Sequence, residues 1–248
     1  EGIEAFDFEL FNAQKYDQAL TLKNRAEDVS RVLYPNDSEK EGKILRLKQQ
    51  YFFVSASLQD IVNVYKARHG GDFTDFHTYY AIQLNDTHPA VAIPEFMRIL
   101  IDLEGLSWEE AWDVLVKTFS YTNHTILAEA LEQWWKGFYI ELLPRIFQII
   151  EEINDQLIGA LEEKNYSEAA INRMKIIDGD MIKMAWLSIY GSNTTNGVAE
   201  LHSELLKTTE LHDWFVLYPE RFQNKTNGIT QRRWLALCNR ELSQFITE

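Results

Sequence analysis

The chain has 248 residues, 46% of them hydrophobic and 13% aromatic, a globular rather than disordered composition with enough residues for one large domain or two small ones. Its 38 acidic against 24 basic residues give a net charge of -14, which disfavours nucleic acid and anionic membranes as partners but not an uncharged sugar polymer. Cys238 is the single cysteine, so no internal disulfide forms and a reducing compartment is expected; no apolar run reaches the length of a membrane helix, and Glu1-Gly2-Ile3-Glu4 is no signal peptide.

Residues 1–11 read as the end of a segment whose beginning is missing. Lys15 to Glu27 carries a thin apolar stripe (Tyr16, Ala19, Leu20, Leu22, Ala26) and reads as an exposed helix. Tyr34-Pro35-Asn36-Asp37-Ser38 is a turn signal, which Glu39-Lys40-Glu41-Gly42 extends into a polar loop. From Lys43 to Arg68, Ile44, Leu47, Tyr51, Val54, Leu58, Ile61 and Tyr65 recur at alternating spacings of 3 and 4, the mark of a helix packed inside a domain; His69-Gly70-Gly71 ends it. Tyr80–Leu84 reads as a strand with Asn85-Asp86-Thr87-His88-Pro89 as its polar tip. A helix is expected over Pro89–Glu104. Ser107-Trp108-Glu109-Glu110 is a capping box that opens the next, which runs to a second strand at Phe119. Strand, helix pair, strand is a βαβ arrangement and calls for parallel neighbours.

The second strand, Phe119-Ser120-Tyr121-Thr122, ends in Asn123-His124-Thr125. Ligands of open α/β sheets bind in the crevice outside the carboxyl ends of strands. Two strand tips, each with an asparagine and a histidine, suggest one shared pocket. Ile126 to Gln133 is expected to be a short helix with Glu129 and Glu132 on one face. Leu143–Lys164 reads as a long helix, Ser167–Met174 as a short one, and Asp178-Gly179-Asp180 as a tight turn. Met184–Tyr190 is apolar on nearly every side, so it reads as a buried helix that needs cover from outside this chain. Gly191–Gly197 reads as a polar, glycine-bounded loop before a helix over Val198–Lys207, a place suited to oxygen-rich ligands. Phe222–Thr230 reads as an extended piece ending at Asn227-Gly228, with Arg232-Arg233-Trp234 opening the final helix. No metal-binding, nucleophile-elbow or Walker spacing occurs. The polar tips offer the amide, imidazole and carboxylate groups that bind sugar hydroxyls.

Asn85-Asp86-Thr87-His88-Pro89, Tyr121-Thr122-Asn123-His124-Thr125 and Asn224-Lys225-Thr226-Asn227-Gly228-Ile229-Thr230 resemble motifs of the α-glucan (glycogen, starch, maltodextrin) phosphorylases, as do Arg31–Asp37 and Asn196-Gly197-Val198-Ala199. The five stand in matching order and span essentially the whole chain, which resembles the later part of such an enzyme's N-terminal, glucan-binding half. The resemblance implies a helix-rich α/β fold, part of a Rossmann-like domain of a two-domain GT-B glycosyltransferase. It also implies a cytoplasmic homodimer whose Lys15–Glu27 helix crosses the interface. The implied reaction is reversible phosphorolysis of terminal α-1,4-glucosyl units by orthophosphate to glucose 1-phosphate, with retention and with pyridoxal phosphate assisting proton transfer.

Carried over by motif, His124 is the catalytic residue: its side chain binds the sugar's 6-hydroxyl and its carbonyl faces the developing positive charge. Asn227 binds the same hydroxyl region, with Val198 and Ala199 as the wall beneath it. Asp86, His88, Thr125, Glu129 and Glu132 line a side pocket beyond the anomeric carbon, and Asp37 and Ser38 belong to a loop that gates the site. Ser38 stands where the family usually has Asn, Asn193 where it has His, and Gln231 where it has Pro. The family's Schiff-base lysine and its phosphate-holding residues have no counterpart here, so these 248 residues alone are expected to be inactive and to bind no pyridoxal phosphate. Two other readings stand beside this one: a non-catalytic carbohydrate-binding module built on the same pocket, and a helical interaction scaffold in which His88 and His124 lie far apart.

Overall fold

The structure, a computed structural model, describes residues 6–248. Glu1-Gly2-Ile3-Glu4 and Ala5, the start of the opening segment, lie outside the described residues. The βαβ unit forms as its pattern demands. Strand β1 (Ile82–Asn85) leads through a helix Ala92–Arg98, widened into a π turn at Ile99–Leu103, to the helix Trp108–Thr118 and then to β2 (Phe119–Thr122). The Ser107 capping box closes in both directions. β1 and β2 are parallel, with Asn85 opposite Thr122. Phe96 packs on Phe119 beneath them, and both are fully buried.

Two further strands extend this sheet in the order β1-β2-β6-β7, all parallel. β6 is Thr194–Gly197 and β7 is Phe222–Asn224. The expected polar loop at Gly191–Gly197 is therefore largely a central strand. Its polar side chains are satisfied sideways: Thr194 Oγ1 donates to Ser120 Oγ (2.8 Å), and Thr122 Oγ1 donates to Asn196 Oδ1 (2.8 Å). Asn85, Thr122, Asn196 and Gln223 form one row across the sheet, so all four carboxyl ends open on the same edge.

A second sheet, β3-β5-β4, is antiparallel and small: β3 Gln133–Trp135, β4 Ile177–Asp178, β5 Met181–Lys183. The Asp178-Gly179-Asp180 turn joins β4 to β5, with Gly179 at φ +59, a left-handed conformation that suits glycine. This sheet overturns the helix expected over Ile126–Gln133. Trp134 pairs with Ile182, and only a single 3-10 turn, Ala128–Ala130, remains of the helix. Ile126 and Leu127 stay exposed, so that helix would have had no apolar face to bury.

The long helix runs Lys40–His69 and stops at Gly70, φ +84. It begins three residues before the expected start at Lys43, so Lys40-Glu41-Gly42 is its first turn rather than loop. A Cβ at Gly42 would collide with the Asn36 carbonyl, so glycine lets the preceding loop lie against the helix. The helix is fastened to Ala92–Arg98 by Glu95, which is fully buried. That carboxylate accepts from Ser55 Oγ (2.6 Å), Tyr51 Oη (3.1 Å) and both Nε and Nη2 of Arg98 (2.7 and 2.8 Å).

Pro144–Glu163 buries Ile146, Ile149, Ile150, Ile153, Leu157 and Leu161. The short helix Met184–Tyr190 is buried by this chain itself, except for Trp186, which is half-buried. Trp112 lies 5.1 Å from the Tyr190 ring and Trp214 lies 6.3 Å from that of Trp186. The expectation that this segment lacks cover is thus corrected; large exposed apolar side chains lie instead at Ile229, Trp234, Leu237, Phe245 and Ile246. Lys15–Glu27 breaks at Leu20 into Tyr16–Ala19 and Thr21–Arg31. The last helix is likewise divided, into Arg232–Leu237 and Arg240–Thr247. Among the described residues no helix is long and apolar enough to cross a membrane.

Candidate functional site

The site is the carboxyl edge of the parallel sheet. At the end of β1, Asp86 takes φ +63, which aspartate tolerates better than most residues. Its N–H donates to the Thr122 carbonyl (2.9 Å), and its Oδ1 accepts from the Thr87 N–H (2.6 Å). This turn carries the exposed His88 outward. At the end of β2, Asn123 is fully buried and serves the loop, not a ligand. Its N–H donates to the Asn196 carbonyl (2.9 Å), its Oδ1 accepts from Thr125 N–H (2.9 Å), and its Nδ2 donates to Tyr121 Oη (3.1 Å). His124 is left exposed, with Nε2 donating to Asn85 Oδ1 at 2.6 Å. That bond ties the two tips together and puts the ring proton on Nε2. At the ends of β6 and β7, the Asn227 N–H donates to the Val198 carbonyl (2.9 Å). Val198 and Ala199 are half-buried and Asn227 is exposed.

A cavity of about 570 Å³ opens beside these tips, and Asp37, Asp86, His88, Thr125, Glu129 and Glu132 all line it. Six sequence-predicted residues from four separate stretches are thus brought together. His124, Asn227, Val198 and Ala199 do not line it; they form the adjoining rim along the row of strand ends. Ser38 takes no part: its N–H and Oγ both donate to Asn36 Oδ1 (2.9 and 2.8 Å), inside its own loop.

Arg46, which motif reasoning missed, is the centre of the cavity's wall. Its Nη1 donates to Asp37 Oδ2 (2.6 Å), and its Nη2 to Glu132 Oε1 (2.9 Å) and His88 Nδ1 (3.3 Å). A guanidinium only donates, so His88 accepts at Nδ1. The Arg46 hydrogen bond holds the Asp37 carboxyl below its usual range, against the opposing effect of burial. Glu132 also accepts from Gln50 Nε2 (3.2 Å) and, on its other oxygen, from Thr87 Oγ1 (2.9 Å). Arg46 and Gln50 are one helical turn apart on the flank of the apolar stripe, and that i,i+4 polar pair was the available signal. The Tyr34 ring meets His88 edge-on at 6.0 Å, closing the loop side.

Four carboxylates face the cavity and Arg46 offsets two of them. No group of three or more potential metal ligands occurs among the described residues. The arrangement offers many neutral and charged hydrogen-bonding groups and little positive field, which suits an uncharged, hydroxyl-rich ligand.

A helix-rich α/β chain with such groups along the carboxyl edge of a parallel sheet belongs to the class of open α/β proteins that hold a ligand at their strand ends. The carbohydrate phosphorylase family matches over residues 1–248, and this chain belongs to it. It is 49% identical to glycogen phosphorylase 2 of Dictyostelium discoideum, 50% to the muscle form of glycogen phosphorylase of Mus musculus, and 51% to glycogen phosphorylase of Bacillus subtilis (strain 168). Those alignments cover 98%, 98% and 96% of this chain but 25%, 30% and 31% of the relatives, so the chain spans about a quarter to a third of their length.

Proposed function

We propose that this chain is the glucan-binding part of an α-glucan phosphorylase, with the strand-tip edge as the seat of the sugar. The observation that carries the reading is the row of carboxyl ends on which His124, held by Asn85, stands between the cavity and the Val198–Asn227 rim. In the reaction the bond from the terminal sugar's C1 to the next sugar's O4 breaks, a phosphate oxygen takes C1, and O4 receives the proton. His124 offers a 6-hydroxyl an imidazole already oriented by Asn85, and its backbone carbonyl lies at a strand end, where C1 gains positive charge. Asn227 and the Val198–Ala199 wall hold the sugar's far side. Asp86, His88, Thr125, Glu129 and Glu132 form the side pocket, and Asp37 carries the gating loop.

Within this reading the chain is part of a Rossmann-like domain of a GT-B enzyme that works in the cytoplasm as a homodimer. Pyridoxal phosphate is assigned outside these residues. Lys43 borders the cavity but is exposed on the first turns of its helix, and the acid-lined wall offers no phosphate cradle. These side chains do not fit the cofactor. The test is phosphorolysis of maltodextrin by the whole natural protein carrying His124→Ala. A fall in kcat of roughly a hundredfold or more is expected; unchanged kcat and KM would remove His124 from the site.

A further inference from the structure

Behind the rim lies a contact that the sugar-binding roles leave unused. The helix Glu200–Thr208 packs against the ends of β6 and β7, and two consecutive residues in its first turn reach the two tips. His202 Nδ1 accepts from the Val198 N–H (3.0 Å), and Ser203 Oγ donates to Asn224 Oδ1 (2.9 Å). Gly197 makes this approach possible. A Cβ there would lie 2.5 Å from Ser203 Oγ and 2.9 Å from His202 Nδ1. On its other side, Val198 gives its carbonyl to the Asn227 N–H (2.9 Å). Val198 is thus gripped at both backbone groups, by His202 on one and by Asn227 on the other. A backbone N–H only donates, so His202 accepts at Nδ1 and carries its proton on Nε2. That Nε2 is buried with no hydrogen-bond partner among the described residues. An unpaired buried N–H costs stability that an apolar side chain would not, so the acceptor nitrogen is the reason for an imidazole here.

We propose that His202 is a positioning residue for the rim: by fixing Val198 it sets where Asn227 stands, and through Asn227 the affinity of the edge for a glucan. The sugar arm rests on the proposed function; the backbone arm does not. In the wild-type chain, imidazole 15N shifts are expected to report the tautomer protonated at Nε2; a proton at Nδ1 overturns the proposal without any variant. Amide exchange is then compared in His202→Leu and His202→Asn, the latter keeping an acceptor oxygen near the Nδ1 position. His202→Leu is expected to speed exchange about tenfold at both Val198 and Asn227, with His202→Asn within about twofold of wild type. Faster exchange at Val198 alone, or no rescue by asparagine, overturns it, because Asn227 does not touch His202. Maltoheptaose affinity is expected to fall about fivefold in His202→Leu and to return in His202→Asn. If the wild-type chain binds no maltoheptaose, the proposed function fails, and the exchange arm still decides the role of His202.

Discussion

Arg98→Met tests how the long helix is held in place. Glu95 has no exposed side-chain surface and accepts four hydrogen bonds, two of them from Arg98. The variant removes the only formal positive charge bonded to that carboxylate among the described residues and leaves Ser55 and Tyr51 as its donors there. Breaking a buried pair by removing one partner typically costs about 3–5 kcal/mol, because the remaining charge is sealed from water. Arg98 itself is 19% exposed, so some water reaches the gap, and about 3 kcal/mol is expected. The double variant Glu95→Met, Arg98→Met removes the stranded charge and should recover to within about 2 kcal/mol of wild type. The assay is urea unfolding of all four proteins of the cycle at one pH, with the slope checked for constancy. A cost below about 1 kcal/mol for Arg98→Met, or a double variant no more stable than that single one, would refute the reasoning. The outcome bears on the site because this junction places the helix that carries Arg46.

Asp37→Asn removes the charge that Arg46 holds, so the loop 32–39 should become more susceptible to limited proteolysis while the melting temperature of the chain stays nearly unchanged; unchanged cleavage would show that Gly42 packing alone holds the loop. Asp102, Asp178 and Asp213 have carboxyls held below their usual range by hydrogen bonds to Arg145, Lys183 and Arg173 respectively. A depressed native value contributes stability that is present above the ordinary carboxylate pKa of about 4 and is lost as pH falls through the native one. The urea midpoint should therefore hold from neutral to about pH 5 and fall below about pH 4, less steeply in 1 M salt; a midpoint that rises on acidification would contradict this. The purified 248-residue chain should form no glucose 1-phosphate from maltodextrin and phosphate, and formation free of contaminating enzyme would overturn the assignment of the cofactor elsewhere.

Elements with an apolar period were readable from the chain alone. The stripe from Ile44 to Tyr65, the buried isoleucines of Pro144–Glu163 and the Ser107 capping box each fix a helix by local physics. The shared edge was readable too, because a βαβ unit makes β1 and β2 parallel and so puts His88 and His124 at the same end. β6 was not, because Thr194-Thr195-Asn196-Gly197 shows no apolar alternation and is buried only by virtue of hydroxyl and amide partners on β2. Glu132 was placed on a helix because the strand that captures its neighbour Gln133 pairs it with Lys183, far along the chain. Arg46 escaped for the same reason: its partners lie 9, 42 and 86 residues away, and its i,i+4 spacing to Gln50 marks a polar flank without naming them.

The most direct test of the sugar-binding edge is a chemical-shift map of the 15N-labelled chain titrated with maltoheptaose. Saturable shifts are expected at His124, Asn227, Val198 and Thr125, weak enough to require millimolar sugar, and abolished together by Asn85→Ala, which releases His124. Saturable binding confined to surfaces away from the strand tips, or no binding at all, would contradict the account.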